Sequence, residues 1–365
     1  MTTVSPAAGI RMPAEWDPHA GTIMCWPSRD AIWGTLRSRA VDDYATIARS
    51  IARFEPVTMV APTSRAEEAR AACGGSVSVI EIPIDDSWAR DSGPLYALDD
   101  AGAPVVVDVT FNAWGRKFEP YADDALLARR WAEHHGVPRL DVDMVLEGGA
   151  LTVDGLGTVV TTEQCLLHPN RNPGLSRAAI ESGLRDALGL TTVVWLPFGL
   201  VLDDDTDGHV DNVAAFAAPG LVVAQGCDDP AEADHDRLAV NVRCLSDAPD
   251  ARGEPLLVEE IPVLPFTELD GERLAVPYLN LYVCNGAVIV PVCGHAADEE
   301  MLGRIGACFA GRQVVPVPGA VLALGGGGPH CITQQIPASP GTTATPGTTA
   351  TPGTRATPDG LERDA

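Results

Sequence analysis

Basic residues are scarce in this chain. Twenty-five lysines and arginines stand against 50 aspartates and glutamates, for a formal charge of −25 at pH 7. Such a surface repels phosphate backbones, which argues against nucleic acid as a partner, but it concentrates cations and suits a small cationic substrate. There is no run of 18 apolar residues, so neither a transmembrane helix nor a membrane partner is expected. The opening residues Met1-Thr2-Thr3-Val4-Ser5-Pro6 have no basic n-region and no apolar h-region, and no secretory signal is expected from them. The nine cysteines include no CxxC pair, which speaks against a disulfide framework and against a structural zinc site. Reduced thiols in a cytoplasmic protein are the expectation, with no metal or organic cofactor.

Repetition is confined to the last stretch. From Pro340 the unit Pro-Gly-Thr-Thr-Ala-Thr recurs with a six-residue period, and no large apolar residue appears before Leu361. That composition cannot offset the entropy of ordering, so residues 338–365 read as a disordered tail behind a domain spanning residues 1–337. Within that domain, β-branched runs bounded by Gly, Pro or charge read as strands at Val57–Ala61, Val77–Ile82, Val105–Val109, Val193–Leu196, Leu221–Ala224, Ala287–Val290 and Val314–Val317. Apolar spacing of three and four reads as helix over Ala40–Phe54, Ala122–His134, Ser176–Leu188, Ala231–Asp247 and Ala297–Phe309. The class is α/β with mixed sheets.

Five stretches are dense in residues that do chemistry. In Gly325-Gly326-Gly327-Gly328-Pro329-His330-Cys331 the glycines let the backbone turn tightly and approach a ligand. The apolar run Ala320–Leu324 before them reads as a buried strand, which would place Cys331 just past a strand end as an exposed nucleophile. The alternative is a buried structural cysteine, against which the polar neighbours His330, Thr333, Gln334 and Gln335 argue. In Asp85-Asp86-Ser87-Trp88-Ala89-Arg90-Asp91 the carboxylates and the indole would suit a planar cation. Glu147, followed by Gly148-Gly149, could orient a histidine or bind a cation. In Asp203–Asn212, His209 and Asp211 would share one face of an extended strand, a general base beside a carboxylate. The same acids, Asp203, Asp205 and Asp207 with Gly208, match the first half of a calcium-binding EF-hand loop, but its twelfth position falls on Ala214 instead of a bidentate glutamate. Cys165, in a Pro- and Asn-rich stretch, is a second candidate nucleophile, although no glycine frees its backbone and Leu166-Leu167 suggest that it packs.

A thiolate, a histidine, several carboxylates and a tryptophan point to covalent chemistry on a cationic carbon. Carboxylates near a cysteine raise its pKa and disfavour the thiolate. That cost makes sense if the substrate is a cation that neutralises the acids on binding. A guanidinium is planar, positive and electrophilic at its central carbon.

The segments Met12–Trp16 through Trp26-Pro27, Asp86–Pro94, Phe111–Gly115, Glu147–Gly149, Gly208–Asn212, Asn285–Pro291 and Gly327–Gln335 resemble, in the same order, those of agmatine deiminases and the related Porphyromonas-type peptidylarginine deiminases. The resemblance implies a pentein-type five-bladed α/β propeller of ββαβ-like units. It implies Cys331 as nucleophile, His209 as general acid/base, Asp91 and Asp211 as guanidinium-binding aspartates, and Glu147 as the acid holding histidine or substrate. Trp88, Asp86 and Gly328 are counted with the substrate-binding set, and the resemblance admits a homo-oligomer. The expected reaction is deimination of agmatine to N-carbamoylputrescine and ammonia through a covalent S-alkylthiouronium. The alternatives are a peptidylarginine or other small guanidine as substrate and, from a different class, a non-catalytic cation-binding acidic protein. One departure stands out: Gly328-Pro329 occupies positions where the family commonly has an asparagine and an aliphatic residue, which puts the geometry of the loop over the substrate in question.

Overall fold

The computed structural model describes residues 9–339, so the repeat expected to form a disordered tail lies, beyond Ala338 and Ser339, outside the described residues. The architecture is α/β, built largely from one motif used five times: two antiparallel strands, a helix, and a third strand parallel to the second. The chain lays down β1 (His19–Cys25), β2 (Val57–Ala61), β3 (Ser78–Glu81), β4 (Leu95–Leu98), β5 (Pro104–Thr110), β6 (Arg139–Val145), β7 (Thr152–Val153), β8 (Thr158–Thr162) and β9 (Thr192–Leu196). It continues with β10 (Ala214–Ala218), β11 (Leu221–Gln225), β12 (Leu257–Ile261), β13 (Phe266–Leu269), β14 (Glu272–Ala275), β15 (Tyr282–Cys284), β16 (Ala287–Val292), β17 (Gln313–Pro318) and β18 (Thr333–Pro337). The sheets are β4-β5-β6, β7-β8-β9, β10-β11-β12, β15-β16-β17 and the four-stranded β18-β1-β2-β3, with β13-β14 as a separate hairpin. In the four-stranded sheet the antiparallel pair joins the two ends of the described chain, β18 against β1.

Local sequence explains the motif. The tight hairpins β10–β11 and β15–β16 turn at Gly220 and Gly286, whose φ of 74° and 78° only glycine adopts without strain, and Asn285-Gly286 is a strong hairpin signal. A parallel return needs a crossover, supplied by the helices Arg37–Ile51, Leu127–His135, Arg177–Leu188, Asp234–Ser246 and Asp298–Cys308. Arg37–Ile51 buries Ala40, Tyr44, Ala45, Ile47, Ala48 and Ile51, the stripe that its spacing predicts. Truncating Ile47 or Ile51, both fully buried, would cost about 2–5 kcal/mol. The helix Arg177–Leu188 begins where the Ser176 side chain accepts from the Ala179 N–H and ends at left-handed Gly189. Among the described residues no helix is long and apolar enough to cross a membrane.

Two local expectations are overturned. Ala320–Leu324 is a short helix ending at Gly325, not a strand; five apolar residues are too few to distinguish the two periods. Val210–Asn212 forms a 3-10 turn ahead of β10, so His209 and Asp211 are brought together by a turn and not by strand alternation.

Candidate active site

In all five units the chain enters the first strand of the antiparallel pair through a short polar segment. These entry segments converge. Asp91 precedes β4, Glu147 precedes β7, His209 and Asp211 precede β10, Asn280 precedes β15 and Cys331 precedes β18, each within five residues of its strand. Repetition of the fold thus delivers side chains from distant parts of the sequence to one place.

The convergence is tight. The Cys331 sulfur lies 3.5 Å from Asp211 Oδ2, and His209 Nδ1 lies 3.8 Å from Asp91 Oδ2. Gly149 sits among them: a Cβ there would fall 2.5 Å from His209 Nδ1, 2.9 Å from Asp91 Oδ1 and 3.0 Å from Asp211 Oδ2. This explains the glycine after Glu147-Gly148, and the Gly149 N–H also donates to Asp91 Oδ1 at 2.9 Å. Trp114 Nε1 holds the other Asp91 oxygen at 3.0 Å. Glu147 is fixed by the buried Arg171, whose Nε donates to Oε1 at 2.6 Å. Glu147 Oε2, Asp211 Oδ1 and both ring nitrogens of His209 are buried and make no hydrogen bond within the protein. A narrow recess leads to the sulfur, lined by Ile32, Trp88, Asp91, Trp114, Phe118, Asp205, Thr206, Gly325, Gly326 and Cys331.

Burial dominates the electrostatics. It pushes the Asp91 carboxyl up to about 8, and the neighbouring Asp211 and Glu147 charges add to the effect. It pushes His209 down to about 3, against the pull of Asp211, so the imidazole is neutral at neutral pH. The Cys331 thiol is pushed well above its usual range by burial and then by Asp211 and Asp91, while the Gly328 N–H and the Asn280 amide pull it back. Asp211 behaves in the opposite way from Asp91. Burial raises it, but a 2.8 Å bond from His330 Nδ1 and the charge of that ring outweigh burial and hold it low. His330 is gripped on its far side by Glu15 Oε2 at 2.9 Å. The Glu15 carboxyl, raised by burial, is brought down to about 2 by His330 and Arg90. Two aspartates within one centre therefore hold different protonation states.

Cys331, Asp91 and Trp88 thus line one recess, with Asp211 beside the sulfur, His209 beside Asp91 and Glu147 beside His209. Asp86 is placed elsewhere: its carboxylate takes Arg29 Nε at 2.7 Å and the Ser87 N–H at 2.8 Å. Gly328 faces the Asn280 side chain and not the recess, with 2.5 Å between its ideal Cβ and Asn280 Oδ1. Two acids of the EF-hand-like run are already engaged by the protein, while Asp205 is exposed. Asp203 accepts from Thr206, Asn212 and the His209 N–H, and Asp207 from Lys117, Asn170 and Arg171. Cys165 is fully buried, with its sulfur in a group with Glu147 and His209 whose ligand atoms lie within 4.8 Å of one another. The Arg171 guanidinium already supplies the positive charge at that carboxylate, so a dication fits it poorly. Sequence reasoning assigned no role to His330, Glu15, Trp114, Arg171 or Asn280. His330 carried a signal, adjacency to Cys331, and Glu15 and Trp114 lay in segments that resemble the family's; Asn280 lay in none.

Comparison with known proteins completes the picture. The family model of the Porphyromonas-type peptidyl-arginine deiminases matches residues 11–337. An agmatine deiminase of Pseudomonas aeruginosa is 42% identical, covering 92% of this chain and 98% of its own, and one of Stutzerimonas stutzeri is 41% identical, covering 93% and 98%. The structure of an Enterococcus faecalis agmatine deiminase superposes with a TM-score of 0.88 at 33% identity, covering 92% of this chain and 98% of that one. These relatives make the molecule a hydrolase of guanidine C–N bonds. Within that class, the chain belongs to the Porphyromonas-type peptidyl-arginine deiminase family.

Proposed function

We propose that this protein hydrolyses agmatine to N-carbamoylputrescine and ammonia, with Cys331 as nucleophile. The observation that carries the reading is the set of buried, unpartnered groups in the same centre as Cys331: Glu147 Oε2, Asp211 Oδ1 and the two ring nitrogens of His209. A guanidinium is a flat cation with several N–H donors, and it can meet the two carboxylate oxygens and the acceptor nitrogen of the neutral His209 ring. Trp88, Trp114 and Phe118 give the recess apolar walls for a methylene chain, and the Asp205 carboxylate on the same lining would receive a second positive end. The relatives carrying the agmatine deiminase name support the same substrate.

In this mechanism Asp91 and Asp211 clamp the guanidinium and aim its carbon at the sulfur. Burial first, and then Asp211 and Asp91, keeps the thiol protonated, and the incoming cation offsets the carboxylate part of that effect. The sulfur attacks the central carbon, and the proton that the thiol gives up passes through His209 to the departing nitrogen, which leaves as ammonia. His209 then takes a proton from water as its oxygen attacks the S-alkylthiouronium. The C–S bond breaks, the proton held by His209 returns to the sulfur, the second proton of the water is released and ends on the ammonia as ammonium, and the neutral ureido product leaves. Neutral thiol and neutral imidazole are thus the correct starting states. The five strand–strand–helix–strand units are read as blades of a pentein-type propeller within one domain over residues 1–337, and the cytoplasm as its compartment.

Ammonia release from agmatine, free arginine and an arginine peptide, with Cys331→Ser alongside, tests the reading. Turnover of agmatine, lost by roughly 10⁴-fold or more in the variant, is the expected result. Turnover of the peptide alone would replace the substrate and leave the chemistry. Equal rates for wild type and variant would end the assignment.

A further inference from the structure

Four of the five entry segments supply the groups just described, and the fifth, ahead of β15, supplies Asn280. Asn280 is buried, and its Nδ2 lies 3.1 Å from the Cys331 sulfur. The orientation of the amide is fixed by its neighbours. Asn280 Oδ1 accepts from the His330 backbone N–H at 3.1 Å, a group that can only donate. Nδ2 also donates to Asn212 Oδ1 at 2.9 Å, and Asn212 is oriented in turn because its Nδ2 donates to Asp203 Oδ2 at 3.0 Å. One hydrogen of the Asn280 NH₂ therefore goes to Asn212 and the other points at the sulfur. Asp211, 3.5 Å from that sulfur, and Asp91 both disfavour an anion there. Gly328 leaves the room, since a Cβ at that position would stand 2.5 Å from Asn280 Oδ1 and 2.9 Å from its Cγ. The glycine at this departure from the family pattern is thus coupled to the amide that meets the nucleophile.

We propose that Asn280 is the side-chain hydrogen-bond donor that, beside the Gly328 N–H, holds the Cys331 sulfur as the attacking anion, the fifth unit's contribution to the active centre. The assignment rests on the reading of Cys331 as nucleophile. A donor to a charged acceptor is stronger than a neutral one, so its loss falls on the thiolate and not on the thiol.

The test follows carbamidomethylation of Cys331 by iodoacetamide against pH, read by mass spectrometry of its peptide so that the other eight cysteines do not interfere. Wild type is compared with Asn280→Ala, Asn280→Asp and Gly328→Ala, with melting curves to establish that each is folded. Asn280→Ala is expected to react about tenfold or more slowly at neutral pH, its midpoint displaced upward by about one pH unit or more. Asn280→Asp keeps the acceptor for the His330 N–H and replaces the donor by an anion, so it should react more slowly still. A purely structural role reverses that order, with Asp nearer wild type than Ala, and would overturn the proposal, as would profiles that superimpose. Gly328→Ala, which leaves the amide in the sequence but crowds it, is expected to shift in the same direction as Asn280→Ala. Agmatine turnover by the wild type is measured in parallel. Turnover with superimposed profiles removes only the Asn280 assignment, whereas separated profiles in a protein inert toward every guanidine remove only the functional reading.

Discussion

Two buried clusters in this molecule draw on the same residue types and treat them in opposite ways. At the seam where β1 meets the β15–β16 hairpin, Glu55 is almost wholly buried beside His19. His19 Nδ1 at 3.1 Å, Thr22 and Tyr282 hydroxyls, and the Asn285 N–H at 2.6 Å all serve its carboxylate. His19 spends its other nitrogen on the Glu15 carbonyl at 2.8 Å. Burial raises Glu55, but these partners outweigh it and hold it ionised. Around Cys331, a glutamate, an aspartate and a histidine are equally buried yet keep oxygens and nitrogens that no protein donor reaches. An unmet buried polar group costs on the order of 1–3 kcal/mol. The seam avoids that cost and the active centre retains it, which is the expected mark of a place where a ligand brings the donors.

Among substitutions that set the two clusters against each other, the largest expected effect is at Asp91. Asp91→Asn removes half of the guanidinium clamp, and ammonia release should fall about a hundredfold to a thousandfold. Its effect on stability should depend on pH in a definite sense. The folded carboxyl titrates at about 8, above its unfolded value near ~3.9. The proton it holds favours the fold at low pH, and this contribution is lost as pH rises through about 8. Urea unfolding should therefore show the variant gaining on wild type from about pH 4 upward and levelling off past about pH 8. A difference that does not change with pH would mean that Asp91 is ionised throughout.

Glu55→Ala makes the converse experiment. Breaking a buried, fully served pair should cost about 3–5 kcal/mol of unfolding free energy, while kcat per folded molecule stays within about twofold of wild type. A large fall in kcat in folded protein would erase the distinction between the two clusters. The smallest effect concerns Asp86, which the sequence places with the substrate and the structure pairs with Arg29. Asp86→Asn should lower stability by about 1–3 kcal/mol and leave KM for agmatine nearly unchanged. A tenfold rise in KM would return Asp86 to the substrate set.

Much of this was legible in the residues. Helices of nine to fifteen residues such as Arg37–Ile51 and Leu127–His135 show an amphipathic period long enough to read. The β-branched strands β2, β5, β9, β11, β16 and β17 announce themselves in the same way. Strands that escaped detection include β6, which runs Arg-Leu-Asp-Val-Asp-Met-Val, and β8, Thr-Val-Val-Thr-Thr. Their pairing is set by neighbours far away in sequence. In the centre, glycine-flanked Glu147 and Cys331 and the His209–Asp211 pair drew attention because their spacing is unusual. Nothing local sets Asn280 apart from any other asparagine after an apolar residue; its significance comes from Cys331, 51 residues on. Asp86 shows the reverse, a carboxylate in a suggestive motif claimed by an arginine 57 residues earlier.

The pairing of β18 with β1 also bears on how the molecule is made. The ribosome releases β1 early and then more than three hundred residues before the strand that covers it. Until then β1 offers an open antiparallel edge, and strand edges of this kind recruit other chains. Cys331 emerges two residues ahead of that closing strand. Closure of the fold and arrival of the proposed nucleophile are thus one event in biosynthesis: the cysteine reaches its partners only as the first sheet is closed.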